Sequence, residues 1–494
     1  MKRAFAVGLL VAGAALTSAA STAGLYTFRH ENVLGTSLEL KIAAPSPAAA
    51  SRAEKAALDE IDRLARILSA WDPASEFSHW NSTRGTAVGV SPALFEVLGL
   101  FDRWRVETGG ALDASAETIG RAWKKAAGQG RVPTAVELAE AVRIARQPHW
   151  RLDAKARTAT RLDDAPIALN SLAKSYIVGR AASAARASGA TGVTANIGGD
   201  LAVRGQMTET VDIVNPRADA ENGAPLERLR VRELAVATSG GYRRGYDIGG
   251  RHYSHIVDPR TGQTADDVAG VTVAAADAAT AGALATAFSV MRSAQSLKLT
   301  AAHPGVEFMS IAANGQRTAS PGWSRLVLPL TQAAIAQQGA AGFELALQFT
   351  LARISDARYR HPYVAVWIED KDKFPIRTLA LWLEKSRWLP DLKSWYRADR
   401  LRALAEGSEV TASVSSATRP PGKYSLKWDL KDAAAKAVKP GRYTVCIEAA
   451  REHGTYQIIR QDLDISGATQ QMTLQGNLEI ESASLDYRKA TATN

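Results

Sequence analysis

Apolar positions recur at helical spacing soon after residue 50. Leu58, Ile61, Leu64, Ala65 and Leu68 fall on one face. Ser51-Arg-Ala-Glu54 just before them has the form of a capping box, in which a hydroxyl and a carboxylate satisfy free backbone N–H groups. The pattern predicts a helix opening at Ser51. Further helices are predicted over 93–108, 135–145 and 172–187, and strands over 37–42, 192–197, 201–203 and 271–275. Helices and strands mix without strict β-α-β alternation, which predicts an α+β domain. From residue 343 the rhythm turns to strands. FELALQFTLA, YVAVWIE, TLALWLE, YSLKWDL, YTVCIEAA and YQIIRQDLDI are separated by turn signals. Pro421-Gly-Lys-Tyr424 and Pro440-Gly-Arg-Tyr443 are near copies, each a Pro-Gly turn feeding a strand. Six or seven such strands predict an all-β sandwich of the immunoglobulin-like kind. Between the two patterns, TQAAIAQQGAAG at 331–342 has little periodicity and reads as a linker. The expected domains are 24–330 and 343–494.

The N-terminus changes this picture. Lys2 and Arg3 precede FAVGLLVAGAALTSAASTAG, a positive start followed by a short apolar run and small residues. This reads as a secretory signal, residues 1–23, cleaved after Ala23. No other stretch is long and apolar enough to cross a membrane. The expectation is therefore an exported, periplasmic chain without a transmembrane segment once processed. The single cysteine, Cys446, has no partner for an internal disulfide. It reads as a buried thiol. The formal charge of +10 over 494 residues is a mild excess without a block of like charges or a basic stripe interleaved with aromatics. Nucleic acid is not an expected partner.

Candidate chemistry gathers in turns. Residues 252–262, HYSHIVDPRTG, hold two of the eight histidines. His255-Ile-Val257 reads as a short strand, placing His255 and Asp258 at a strand end entering a turn; a purely structural turn is the competing reading. Thr194-Ala-Asn-Ile-Gly-Gly-Asp200 ends a strand in glycines that let backbone N–H groups approach a phosphate, or is simply a hairpin. Ala237-Thr-Ser-Gly-Gly241 is another small turn. Ala168-Leu-Asn-Ser-Leu-Ala-Lys174 brings a hydroxyl, an amide and an ammonium to the start of a helix, where anions are favoured. Thr286 lies in the Ala-rich AATAGALATAF, which reads by itself as a core helix.

Taken in order, eight segments resemble the FAD:protein FMN transferases, the ApbE-like proteins, over residues 30–330. They are Asn32–Thr36, Leu68–Pro73 with Ser75–Asn81, Gly110–Asp113, Leu169–Tyr176, the GGD turn, Ala237–Gly240, His255–Gly262 and Ala283–Ala287. The resemblance implies an α+β domain that binds FAD with Mg²⁺ and transfers FMN to a threonine or serine hydroxyl of a partner protein, releasing AMP. The implied partner is an exported or membrane redox protein. Carried over by position, Leu34, Trp71, Ala111, Leu112, Asp113, Lys174 and Ile256 would contact FAD. Ser171 and Thr286 would stand at the metal. His255 and Asp258 would orient or deprotonate the incoming hydroxyl.

Two positions depart from the family pattern: Ala168 and Gly282 stand where aspartates are usual. Mg²⁺ favours carboxylate oxygen. The loss implies cation binding weakened by about 10- to 100-fold, as ligand-shell changes do elsewhere. Asp277, five residues before Gly282, lies about 140° around the helix and is a poor substitute. The lost carboxylates speak for one rival function, an FAD-binding carrier with weakened catalysis. A second rival, a metal-dependent FAD pyrophosphatase in which water replaces the acceptor hydroxyl, is not separated from transfer by any sequence feature. The C-terminal part resembles a domain of unknown function often fused behind such transferases, through His361–Glu369, Leu379–Trp382 and Glu448–Gly454. Trp367, Trp382, Trp388 and Trp395 offer either an aromatic binding face or core packing, and His453 stands in a turn as an isolated candidate ligand.

Overall fold

The computed structural model describes residues 23–216, 220, 222–223, 225–241, 244–329, 342–355, 359–383, 386–406, 415–416, 418–452 and 454–490. The expected signal segment up to residue 22, the linker over 331–341 and His453 lie outside the described residues. Ahead of the linker the fold is built on an eight-stranded antiparallel sheet. Its order is Gly24–Val33, Thr36–Ala44, Gly192–Ile197, Asp200–Gly205, Ala235–Ser239, Val268–Ala275, Glu307–Ala312 and Arg317–Ala319. Side chains alternate between its faces. Leu38, Leu40, Ile42, Val193, Ala195, Val271 and Val273 join one core, while Leu201, Val203, Val236, Met309 and Ile311 join another on the opposite face.

Helices Pro47–Leu68, Asn170–Ala187 and Ala278–Phe288 contribute to the first core. The first of these begins one turn earlier than the capping-box reading. Ser46 is the N-cap, its hydroxyl accepting from the Ala49 N–H, and Pro47 holds the first helical position. Proline suits that place because its missing N–H would have had no partner there. The helix Ala135–Ala145 matches its expected bounds and carries a capping box between Thr134 and Glu137. Gly24–Val33, the helix Ala116–Ala127 and the hairpin Gly245–Ile248 with Arg251–Ser254 were not expected from the pattern. The last strand ends one residue before His255, and Val257 makes only an isolated bridge to Thr264, so 255–257 is not a strand.

The C-terminal region has two sheets around one apolar core. One runs Gly422–Trp428, Phe343–Leu351, Ile480–Lys489 and Gln470–Leu474; the other runs Ser415–Ser416, Pro375–Trp382, Tyr363–Glu369, Gly441–Ala450 and Tyr456–Ile465. Tyr363–Glu369 is buried at every position. Val364, Val366 and Ile368 face the other sheet, while Tyr363, Ala365 and Trp367 pack with Leu392 and Trp395. Those last two belong to a segment with the helix Lys393–Glu406, an element the strand pattern did not suggest. Trp367, Trp382 and Trp395 are buried and Trp388 packs against the second cluster, so the tryptophans are core and not an open aromatic face. The two Pro-Gly copies fold alike: the Tyr424 and Tyr443 hydroxyls each donate to a carbonyl four residues upstream, Pro420 and Lys439. Cys446 is buried, and desolvation followed by the nearby Glu369 carboxylate pushes its thiol well above the usual range.

Candidate functional site

The helix carrying Lys174, Asn170–Ala187, and the helix carrying Thr286, Ala278–Phe288, lie against each other over one face of the large sheet. Contacts join them at three levels. The Thr286 hydroxyl donates to the Ser171 carbonyl at 3.5 Å. Gly282 faces Ser175, and Gly179 faces Ala278. Positions 171, 175 and 179 are spaced by four, as are 278, 282 and 286, so each set forms one stripe of its helix.

Lys174 reaches the GGD turn. Its ammonium donates to the Gly198 carbonyl at 3.3 Å and stands 3.4 Å from the Asp200 carboxylate. The Ser175 hydroxyl donates to the other Asp200 oxygen at 2.6 Å. Burial pushes the Asp200 carboxyl above its ordinary range, with Lys174 and Ser175 pulling the other way. Gly198 has φ +54° and Gly199 φ +93°. At 198 glycine is required twice over, because a Cβ would also lie 2.8 Å from the Thr36 side chain. That contact brings in the tip of the first hairpin, where Leu34 sits at φ +52° and packs on the main core. One hairpin tip, one strand turn and two helices therefore meet around Lys174.

A second group is tied to the first through the helix ends. Ala111, Leu112 and Asp113 are buried, and the Ala168 N–H donates to the Ala114 carbonyl at 2.9 Å. The Asp113 carboxylate accepts from the Ser115 N–H and hydroxyl and pairs with Arg105 at 2.8 Å. Gly110, at φ +82°, lies under the Arg260 stem. Arg260 grips both oxygens of Asp258 at 2.8 Å and donates to the Val290 carbonyl just past the threonine helix. The turn is held from below as well. Trp123 Nε1 donates to the Gly262 carbonyl at 2.9 Å, and Gly262 adopts φ +77° against Val142. Asp258 thus shapes the turn through Arg260, and its carboxylate is already bonded. Ile256 beside it donates its N–H to the Ser254 hydroxyl.

His255 Nδ1 donates to the Arg244 carbonyl at 3.0 Å, since a carbonyl only accepts, which leaves Nε2 with its lone pair. Desolvation by the surrounding loops lowers its pKa, and the charges of Arg244 and His252 add to this. The lowered pKa favours the neutral imidazole, the form a general base requires. At His252 partial burial works against the charge. Hydrogen bonds with Asp247 and the Gly241 carbonyl outweigh it and raise the pKa. Trp71 is 82% exposed, with its backbone N–H on the Ser69 hydroxyl.

The donors beside Thr286 do not form an acidic cradle for a divalent cation. They are the Ser171 carbonyl and the Thr286 and Ser175 hydroxyls, all neutral, with Asp200 already bonded to Ser175 and Lys174. Among the described residues no group of three or more His, Cys, Asp or Glu side chains could hold a metal ion. Asp277 is the N-cap of the threonine helix and accepts from the Thr280 N–H and hydroxyl. Ser175 is the residue whose role the sequence reading missed. Its signal was present in the four-residue spacing of Ser171, Ser175 and Gly179 opposite Ala278, Gly282 and Thr286.

Comparison with known proteins gives this geometry a context. Residues 344–482 match a family described as a predicted periplasmic protein, DUF2271. No helix among the described residues is long and apolar enough to cross a membrane. The chain is 28% identical over 318 residues to an FAD:protein FMN transferase of Treponema pallidum, covering 60% of this chain and 86% of that protein. It is 29% identical over 245 residues to one of Vibrio cholerae, covering 47% and 72%. Among solved structures, the ApbE protein of Thermotoga maritima superposes with a TM-score of 0.55 at 25% identity, covering 62% of this chain and all of that one. The flavin transferase ApbE of Vibrio cholerae shares the fold at 22% identity, with a TM-score of 0.52 over 62% of this chain and 99% of its own. Residues 34–310, more than half of the chain, match the ApbE family model, and the chain belongs to the ApbE family.

Proposed function

We propose that this protein transfers FMN from FAD to a threonine or serine hydroxyl of an exported or membrane redox protein, in the periplasm. The observation that carries the reading is the meeting of four sequence-distant segments around Lys174: the Leu34–Thr36 tip, the GGD turn, and the lysine and threonine helices. Such a meeting offers an ammonium and glycine backbone to a diphosphate. The Treponema and Vibrio relatives are FAD:protein FMN transferases, which supports FMN transfer to a protein acceptor. Leu34, Trp71, Ala111, Leu112, Asp113 and Ile256 are the proposed flavin and adenine contacts; Trp71, with its ring in solvent, suits stacking on a flat heterocycle.

In the proposed reaction the acceptor hydroxyl oxygen attacks the phosphorus of the FMN half. Its proton passes to His255 Nε2, which later returns it to solvent. The bond from that phosphorus to the bridging oxygen breaks, and AMP leaves with the bridging oxygen. Arg260 and Asp258 hold the turn that presents His255. Alignment and charge neutralisation are the main demands of phosphoryl chemistry. The neutral groups beside Thr286 do not offer the Mg²⁺ expected with this family a fitting ligand set.

The test is incubation of the purified protein with FAD and candidate exported acceptors, following AMP and covalent flavin fluorescence together. The expected result is AMP equal to flavin bound on the acceptor, and none without acceptor. AMP release without acceptor would mean hydrolysis. Tight FAD with no AMP would mean a carrier. Either result overturns the reading.

A further inference from the structure

We propose that Ser175 and Gly282 interlock to close the helix crossing to an acidic ligand, so that Lys174, and not a protein-held divalent cation, supplies the fixed positive charge beside the FAD diphosphate. The second half rests on the FAD reading above; the first does not.

The argument is steric. A Cβ added at Gly282 would lie 2.6 Å from Ser175 Cβ and closer still to its Oγ. Rotating χ1 of Ser175 moves Oγ but leaves Cβ in place. The helices have little room to part. One turn along, a Cβ at Gly179 would lie 2.9 Å from Ala278 Cβ, and one turn the other way Thr286 bonds the Ser171 carbonyl. Packed interiors do not absorb such an overlap without a backbone shift. An aspartate at 282 is therefore incompatible with serine at 175, whatever its rotamer.

What remains is a neutral donor set. Mg²⁺ is usually held through one or two carboxylates together with substrate phosphates. Among the described residues Asp200 is a carboxylate that reaches this cluster, and Ser175 and Lys174 both engage it. That arrangement serves the lysine instead. Asp200 and the Gly198 carbonyl fix the ammonium beside the two glycines of the turn. Ser175 is thus a positioning residue, orienting Asp200 while filling the space opposite Gly282.

Two measurements on the full chain decide the matter. The first titrates Mn²⁺ alone and reads the free ion by electron paramagnetic resonance, without flavin. The double variant S175G/G282D is expected to bind Mn²⁺ about tenfold or more tighter than the parent. Gly282→Asp alone is expected to bind no tighter and to melt at lower temperature. Ser175→Gly alone removes the clash without adding a carboxylate, and is expected to fold and to bind no tighter. Such non-additivity is the mark of a coupled pair. Equal binding by Gly282→Asp and the double variant, or a parent that already matches the double, overturns the interlock. The second measurement is flavin quenching. The parent's FAD affinity is expected to agree within about threefold in Mg²⁺ and in EDTA, and Lys174→Gln to weaken it about tenfold or more. Loss of binding in EDTA, or no effect at Lys174, overturns the role of the lysine. A parent that does not bind FAD at all sinks both that role and the transferase reading, while the Mn²⁺ series still decides the interlock.

Discussion

Both halves of the molecule bring charges into low-dielectric surroundings, but they use them differently. In the sandwich one pair is sealed. Arg451 and Glu479 meet at 3.1 Å with side chains 7% and 1% exposed. Glu448, fully buried, accepts from the Ser394 and Trp395 N–H groups at the start of the helix Lys393–Glu406. At the helix crossing the pair is half open: Asp200 is 10% exposed while Lys174 keeps 34% of its side chain accessible. A sealed pair answers only to the fold, and removing one partner leaves a charge uncompensated. A half-open pair keeps a cation oriented and available to a ligand. The contrast also separates what substitutions should do. Replacing the Lys174 or His255 side chain should alter chemistry with little change in stability, and breaking the sealed pair in the sandwich should do the reverse.

The largest expected effect is at His255. Replacing it with alanine should slow flavin transfer by about 10²- to 10⁴-fold, the usual worth of a positioned base. FAD affinity and Tm should stay near the parent's. In the parent the rate should climb with pH on the acid side, because only the neutral imidazole accepts a proton. The lowered pKa puts the midpoint of that climb below 6.5, with a plateau through neutrality. A midpoint above 6.5 would deny His255 the role.

Next in size is Glu479→Ala, which strips Arg451 of its carboxylate inside the sandwich. A loss of about 3–5 kcal/mol is expected from denaturant unfolding. Quenching of FAD by the same variant should be unchanged; a weakened site would show that the two halves are energetically coupled. Trp71→Ala should cost less than about 0.5 kcal/mol of stability, since the ring is exposed, yet weaken FAD binding by about 1 kcal/mol if the ring stacks on it. Unchanged FAD binding would remove Trp71 from the site. The smallest effect is a null one. Native protein should leave Cys446 unmodified by an aromatic disulfide reagent, since its thiol is buried and its pKa is raised by desolvation. Rapid labelling would mean that the sandwich opens locally.

Much of the first half was legible residue by residue. The Gly192–Ile197 strand and the Ala135–Ala145 helix fall where hydrophobic period and capping residues put them. The first helix began early because Ser46 and Pro47 form a start signal of their own, one turn before the capping-box string. The helix Lys393–Glu406 was missed in a region otherwise read as strands. Its N-terminus is held by Glu448, more than fifty residues away, a partner that no local window contains. The turn at 258–262 was recognised from its proline and glycine. That Asp258 would be gripped by Arg260, and Arg260 tied to Val290, was not.

The sequence by itself determined the two-part organisation, the turn chemistry and the family, because those depend on short-range periodicity and on residue types at fixed spacing. Only the tertiary structure decided what Gly282 means. As a letter in the chain it is a missing carboxylate. In the packed helix pair it is the space that Ser175 fills, one rung between Gly179 on Ala278 and Ser171 on Thr286. Whether a residue can be exchanged depends on the atoms across from it, and those are set by long-range packing that no linear pattern carries.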